Sequence, residues 1–441
     1  MNKADEQTVT STDLKNQSAV KAFYDLVNSY KDKEKGYTNF VFFAGAGFSK
    51  AWDEDFPGEK ELFEMLPNED ILYRDFLGDY LKTMSWYKPE TFYNGKFNIS
   101  FDDFKKIVFS LNMYEKYKEL RPKYLDSNGL KMIKEILNAL IALKIWKNNP
   151  YLQGGYDGPD GSCNPIIYPP EDPTEKQKEM ISFFSILRNT KINNNQVQTE
   201  EEKIKPPLIG PKNNNKWLEK IKLNHITTNY DFVIECIFDA CINEAGGDTH
   251  LDFVYRGFTP NEYSGFSGIR KIKDYPLTES LFKLNGGLEI YCNSDETYET
   301  YEIDFWEKKY KDLREKSPLL MLPSYEQDYS NPYFREILQK SKELLTMAKT
   351  LIIVGYSLPK EDVLIRFLLK HFALDKTDFQ DKIIFYINKE KSHDELKENL
   401  ESVFREAINE SFSEQVHTFS GSFNEFVEQF NQLWEAGIKN A

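Results

Sequence analysis

Phe40-Val41-Phe42-Phe43 is a short, continuously apolar run, preceded by Asn39 and closed by Ala44, Gly45 and Gly47. No other feature limits the fold of this chain as strongly. A strand with one wet face alternates apolar and polar residues, so a strand apolar at every position must be covered on both sides, as in a parallel sheet between two helix layers. Further strand-like runs stand at Ile226-Thr227-Thr228, Leu281-Phe282-Lys283-Leu284, Thr350 to Val354 and Ile383 to Ile387, with helical periodicity between them. Strands alternating with helices predict an α/β fold, a doubly wound parallel sheet of Rossmann-like type with a large inserted helical module.

The expected organisation follows from where the periodicity changes. Residues 1–35 read as a polar tail, frayed to about position 15, and a leading helix in which Ala19, Phe23, Leu26 and Val27 recur at helical spacing, ending near Gly36. Residues 36–60 and 221–441 carry the strand-and-helix pattern, closed by an amphipathic helix from Phe423 to Leu433. Residues 61–220 read as the helical insertion, with Leu130 to Trp146 its clearest helix. Two stretches of turn-forming and polar residues, Gly154 to Pro173 and Asn189 to Asn215, are expected as mobile loops.

Composition removes several function classes. With 441 residues, 40% hydrophobic and 15% aromatic, the chain can bury a sizeable core. Lys and Arg number 56 against 71 Asp and Glu, a formal charge of −15, and such a surface repels phosphate backbones on average. Direct nucleic-acid binding is not expected. The start, Met1-Asn2-Lys3-Ala4-Asp5-Glu6, is polar, and no run approaches the ~18 apolar residues of a membrane span, so a cytoplasmic location without membrane contact is expected. Cys163, Cys236, Cys241 and Cys292 lack the close pairing of a zinc ribbon or redox dithiol. No metal is expected, and Cys236 and Cys241, in an apolar stretch, read as core thiols.

The chemistry-bearing residues sit where the strands end. Gly45-Ala46-Gly47-Phe48-Ser49 follows the first strand; such a turn is either a plain tight turn or a place where backbone meets a phosphate at close range. It lacks the third glycine of the dehydrogenase fingerprint and the Lys-Ser/Thr ending of an ATPase phosphate loop. Thr227-Thr228-Asn229-Tyr230-Asp231 closes the second run. Asn229 offers an amide and Asp231 a carboxylate at a strand's carboxyl end, where open α/β sheets bind ligands, although an Asp here also suits a helix cap. Leu284-Asn285-Gly286-Gly287, Gly355-Tyr356-Ser357-Leu358-Pro359 and Ile387-Asn388 end three more runs. Each alone is ordinary turn chemistry, whereas five in order point to a shared site. His225 precedes the second motif and reads as structural, at the strand end away from the site.

This ordered set resembles the sirtuin-like family of NAD-consuming enzymes, in particular the branch found in bacterial anti-phage defence systems, over about 39–59, 221–292 and 350–390. The resemblance implies that Gly45, Ala46, Gly47, Phe48 and Ser49 cradle the NAD pyrophosphate, that Asn229 and Asp231 act in catalysis by holding the nicotinamide ribose and carboxamide, with Thr228 among the NAD-binding residues, and that Gly355, Ser357 and Asn388 bind the adenosine half. Family deacylases usually carry a four-cysteine zinc module, which the cysteine spacing here does not supply, so the resemblance implies NAD hydrolysis in preference to deacylation. The family's Lys-Leu-His-Gly segment stands here as Lys283-Leu284-Asn285-Gly286. A neutral amide cannot take a proton as the imidazole would near pH 7. Asn285 therefore implies an inactivated chain, natural or engineered, or catalysis by positioning alone. The expected function is NAD glycohydrolase-type depletion of NAD in abortive infection; the competing expectation is a non-catalytic NAD or ADP-ribose binding subunit. The resemblance further implies homo-oligomers and a defence partner: a DNA-translocating ATPase, a short Argonaute or a nucleotide-processing protein.

Overall fold

The computed structural model describes residues 10–30, 38–64, 92–93, 96–97, 99–147, 152–157, 163–167, 172–188, 221–244, 265–266, 280–292, 298–300, 318–374, 381–404 and 415–439. Six strands form one sheet: β1 (Thr38–Ala44), β2 (Ile221–Thr227), β3 (Ser280–Lys283), β4 (Thr350–Val354), β5 (Ile383–Asn388) and β6 (Val416–Ser420). All neighbours pair in parallel, in the order β3-β2-β1-β4-β5-β6. This is the doubly wound arrangement expected from the apolar runs. The chain builds outward from β1 in one direction, then returns to lay β4 on its other edge. The carboxyl ends of β1 and β4 are therefore the topological switch point, where the turns leave in opposite directions and open a crevice.

Strand β1 shows why the sheet is apolar throughout. Phe40, Phe42 and Ala44 face one core and Val41 and Phe43 the other. On the first side lie α1 (Ser11–Ser29), α2 (Ala46–Trp52), α6 (Glu175–Leu187), α7 (Val233–Glu244) and α11 (Phe423–Lys439). Phe23 of α1 is fully buried and contacts the rings of Phe40, Phe183, Phe385, Phe426 and Phe430. On the opposite side α8 (Pro332–Met347), α9 (Val363–Lys370) and α10 (His393–Phe404) cover Val41, Phe43, Ile353 and Tyr386.

Several elements differ from the expectation, each for a local reason. Helix α1 begins at Ser11 because Thr10 accepts from the Asp13 N–H and the Asp13 carboxylate accepts from the Thr10 N–H, a capping box. Strand β6 was not anticipated: its five residues, Val416-His417-Thr418-Phe419-Ser420, are at the sheet edge and mix polar with apolar positions. Within 61–220, α4 (Phe101–Lys116) and α5 (Ser127–Lys147) are helical as the spacing predicts. Helix α6 is not set apart from the sheet, since Phe183 stacks on Phe23 at 5.7 Å and Phe184 meets Phe42 at 5.2 Å. The Gly154 to Pro173 stretch, expected as a mobile loop, includes a pair of antiparallel strands, Leu152–Asp157 and Cys163–Ile167. The stretch from Asn189 to Asn215 lies outside the described residues. A four-stranded antiparallel sheet built on Gly286–Cys292 and Pro318–Leu320 had no clear sequence signal. Cys236 and Cys241 are buried, as core thiols, and no helix among the described residues is long and apolar enough to cross a membrane.

Candidate functional site

Two backbone turns meet at the switch point. The Gly45 N–H donates to the Val354 carbonyl and the Gly47 N–H to the Gly355 carbonyl, both at 2.9 Å, locking the turn after β1 onto the turn after β4. Contact is so close that side chains are excluded. A Cβ on Gly45 would lie 2.7 Å from Tyr356 Cβ, and one on Gly47 2.7 Å from Gly355 Cα. Gly355 itself has φ +61°, a left-handed conformation costly for any residue with a Cβ.

Ser49, on α2, links this turn to the end of β2. Its hydroxyl donates to Asp231 Oδ2 at 2.6 Å and accepts from Asn229 Nδ2 at 2.8 Å. Asn229 Nδ2 also donates to the Gly45 carbonyl at 2.9 Å, and the Asn229 N–H is held by Thr227 Oγ1 at 3.0 Å. A carbonyl can only accept, so the orientation of the Asn229 amide is fixed. Its Oδ1 accepts from no group among the described residues. Asn285 repeats the arrangement one strand over: Nδ2 donates to the Thr228 carbonyl at 3.0 Å, and the buried Oδ1 has no partner among the described residues. Gly286, at φ +77° with its α-carbon against the Leu319 carbonyl, allows the chain to turn sharply after Asn285. The result is a pair of side-chain amides whose donors are tied to backbone and whose acceptors remain for a hydroxyl or N–H of a ligand.

Asp231 serves both purposes raised by its sequence position. Oδ1 accepts from the Val233 N–H at 3.0 Å, capping α7, while Oδ2 accepts from Ser49. Burial holds its carboxyl above the ordinary Asp range, opposed by the Ser49 and Val233 hydrogen bonds and by the Lys283 charge. Across the switch point, Asn388 Oδ1 accepts from the Glu390 N–H at 2.9 Å, and its amide nitrogen has no partner among the described residues. The β5 side thus presents a donor where the β2 and β3 side presents acceptors.

These residues share one cleft of about 2,040 Å³. Ala46, Gly47, Ser49, Thr228, Asn229, Asp231, Asn285, Gly355, Ser357 and Asn388 all line it. Two expected contact residues do not. Gly45 lies beneath Tyr356, and Phe48 turns into the core, 5.4 Å from the Phe423 ring and 6.2 Å from that of Phe184. Both shape the turn from behind: one by lacking a side chain, the other by anchoring α2. His225 is a core residue, fully buried between Phe42 and Phe238. What separates it from the cleft is the face of β2 it occupies, since it stands near that strand's carboxyl end.

The sequence reading missed a second cluster on the cleft wall. The Tyr356 hydroxyl donates to Asp362, whose carboxyl is pushed above its ordinary range by desolvation and by the Glu361 charge; that of Glu59, on the short helix α3 (Glu59–Phe63), is raised by desolvation and then by the Asp362 charge. Tyr356 stands inside the Gly355 to Pro359 motif, but Glu59 and Asp362 carry no motif and come together only in the fold. No group of three or more potential metal ligands occurs among the described residues.

No family model matches the sequence, and no curated protein matches it. Among solved structures, similar ones include a Sir2 enzyme with 11% identity and TM-score 0.36, covering 95% of this chain and 99% of that chain. A Sir2 homologue in complex with 2′-O-acetyl-ADP-ribose has 12% identity and TM-score 0.37, covering 93% and 96%. A Sir2 mutant with a p53 peptide and NAD has 12% identity and TM-score 0.34, covering 95% and 99%. At such distances no residue role transfers by superposition, and the site stands on its own geometry.

Proposed function

We propose that the cleft binds NAD and that the chain is an NAD glycohydrolase-type effector, releasing nicotinamide and depleting NAD in anti-phage defence. One observation carries the reading: Asn229 and Asn285 present fixed, unpartnered acceptors at the carboxyl ends of β2 and β3, beside the switch point of a β3-β2-β1-β4-β5-β6 sheet. Ribose hydroxyls and a carboxamide N–H are the donors such acceptors take. The diphosphate would lie along the Ala46, Gly47 and Ser49 turn and the adenosine half toward Gly355, Ser357 and Asn388. Hydrolysis converts NAD and water to ADP-ribose, nicotinamide and a proton. The ribose passes through an oxocarbenium-like state, which oriented dipoles and a nearby carboxyl favour without a strong base. Asn229 would orient the ribose or the attacking water, and Asp231 the departing carboxamide. By resemblance, a partner subunit that senses infection would release this activity, and the chain would act as a homo-oligomer.

Asn285 favours a second reading, a non-catalytic NAD or ADP-ribose binding subunit, because no imidazole lines the cleft in its place among the described residues. Nicotinamide release from NAD by the purified chain, with and without the product of the neighbouring gene, separates the two, with Asn285→His run in parallel. Release by the wild type establishes the hydrolase. Release by Asn285→His alone identifies an inactivated enzyme, and stabilisation by NAD without release in either form establishes the binding subunit. Absence of any NAD effect on melting temperature rejects both.

A further inference from the structure

Strand β3 ends on a lysine whose side chain is buried beneath the site. Lys283 Nζ lies 2.8 Å from Glu235 Oε1, in the first turn of α7, and each side chain is 1% exposed. The same ammonium donates to the Asp231 backbone carbonyl at 2.6 Å and stands 4.8 Å from the Phe232 ring centre. Taking two charges out of water is costly, and a well-packed apolar pair is often as stable or more so. What an apolar pair cannot do is hold a carbonyl. The carbonyl in question belongs to the residue whose side chain meets Ser49 and caps α7, in the turn that also carries Asn229.

We propose that Lys283 and Glu235 are positioning residues of the cleft: the ammonium clamps the 228–233 turn from beneath through the Asp231 carbonyl, and Glu235 aims it there, so that Asn229 and Asp231 meet a ligand in one fixed geometry. The clamp is a statement about the turn itself; only its consequence for affinity rests on the NAD reading.

The test is the double variant Lys283→Met/Glu235→Leu in the full chain, which removes both charges together and leaves neither buried alone. It is expected to unfold cooperatively at a urea midpoint close to that of the wild type. Deuterium exchange at the Asn229 and Val233 amides is expected to quicken at least tenfold. NAD affinity is expected to fall roughly ten- to hundredfold, the weight of one charge-assisted hydrogen bond. If the Met/Leu pair does not fold, Lys283→Met/Glu235→Gln keeps a polar group at 235, leaves no donor at 283 for the Asp231 carbonyl, and carries the same expectations. Unchanged exchange at both amides in a folded double variant overturns the proposal, whatever NAD does. If the wild type itself fails to bind NAD, the proposed ligand is wrong, and the exchange comparison still decides the clamp.

Discussion

Gly355→Ala tests the switch-point junction at its tightest place. The residue adopts φ +61°, where an L side chain costs about 1–2 kcal/mol. The added Cβ would also lie 2.5 Å from Gly47 Cα and closer still to Gly47 C and Phe48 N, all backbone atoms that cannot rotate away. Relief requires the two turns to part, stretching the bond from the Gly47 N–H to the Gly355 carbonyl, worth about 0.5–1.5 kcal/mol. Together these predict a loss of roughly 1.5–3.5 kcal/mol, read from urea unfolding followed by tryptophan fluorescence. The same parting moves Ala46 and Ser49, so NAD-dependent stabilisation should fall as well. Gly58→Ala is the control: its Cβ would meet the Lys50 ammonium at 3.2 Å and a Glu61 oxygen at 3.4 Å, flexible ends that give way. A Gly355→Ala chain as stable as Gly58→Ala, with NAD stabilisation intact, would refute the reasoning.

Three other outcomes follow from the same geometry. Phe23→Ala, which removes a fully buried ring in contact with five others, should cost about 3–5 kcal/mol in urea unfolding without altering the cleft. Burial raises the Asp231 carboxyl above its unfolded value, so in the window between the two values the native state binds the extra proton and stability falls as pH rises. The stability of the wild type relative to Asp231→Asn should accordingly increase as pH is lowered toward the ordinary Asp value of about 4, and a flat difference would show that this carboxyl does not titrate as its burial requires. His225→Leu, changed within the Phe42, Phe184 and Phe238 cluster, should shift the urea midpoint but leave NAD affinity within about twofold, whereas loss of affinity would place the imidazole's influence in the cleft.

Much of the sheet was legible because its strands are buried on both faces, and such strands advertise themselves as uninterrupted apolar runs. β1, β4 and β5 are of that kind. β6, at the edge and polar at His417, Thr418 and Ser420, is not, and it was missed. The site was legible to the extent that it consists of strand ends: Ser49, Asn229, Asp231, Asn285 and Asn388 stand within a few residues of where an apolar run stops. Side-chain direction was not legible. Phe48 sits between two cleft residues yet faces the core, because one step along a short helix turns it by about 100°. Glu235 and Lys283 were invisible for a different reason: each looks like ordinary surface charge until the fold removes both from water beside each other, 48 positions apart in sequence.

Calorimetric titration of NAD into the full chain tests the central claim most directly, run alongside Asn229→Ala, which deletes the amide fixed by Gly45 and Ser49. Saturable one-to-one binding by the wild type and at least tenfold weaker binding by the variant are expected. Absence of binding by the wild type, or equal affinity in the two, would contradict it.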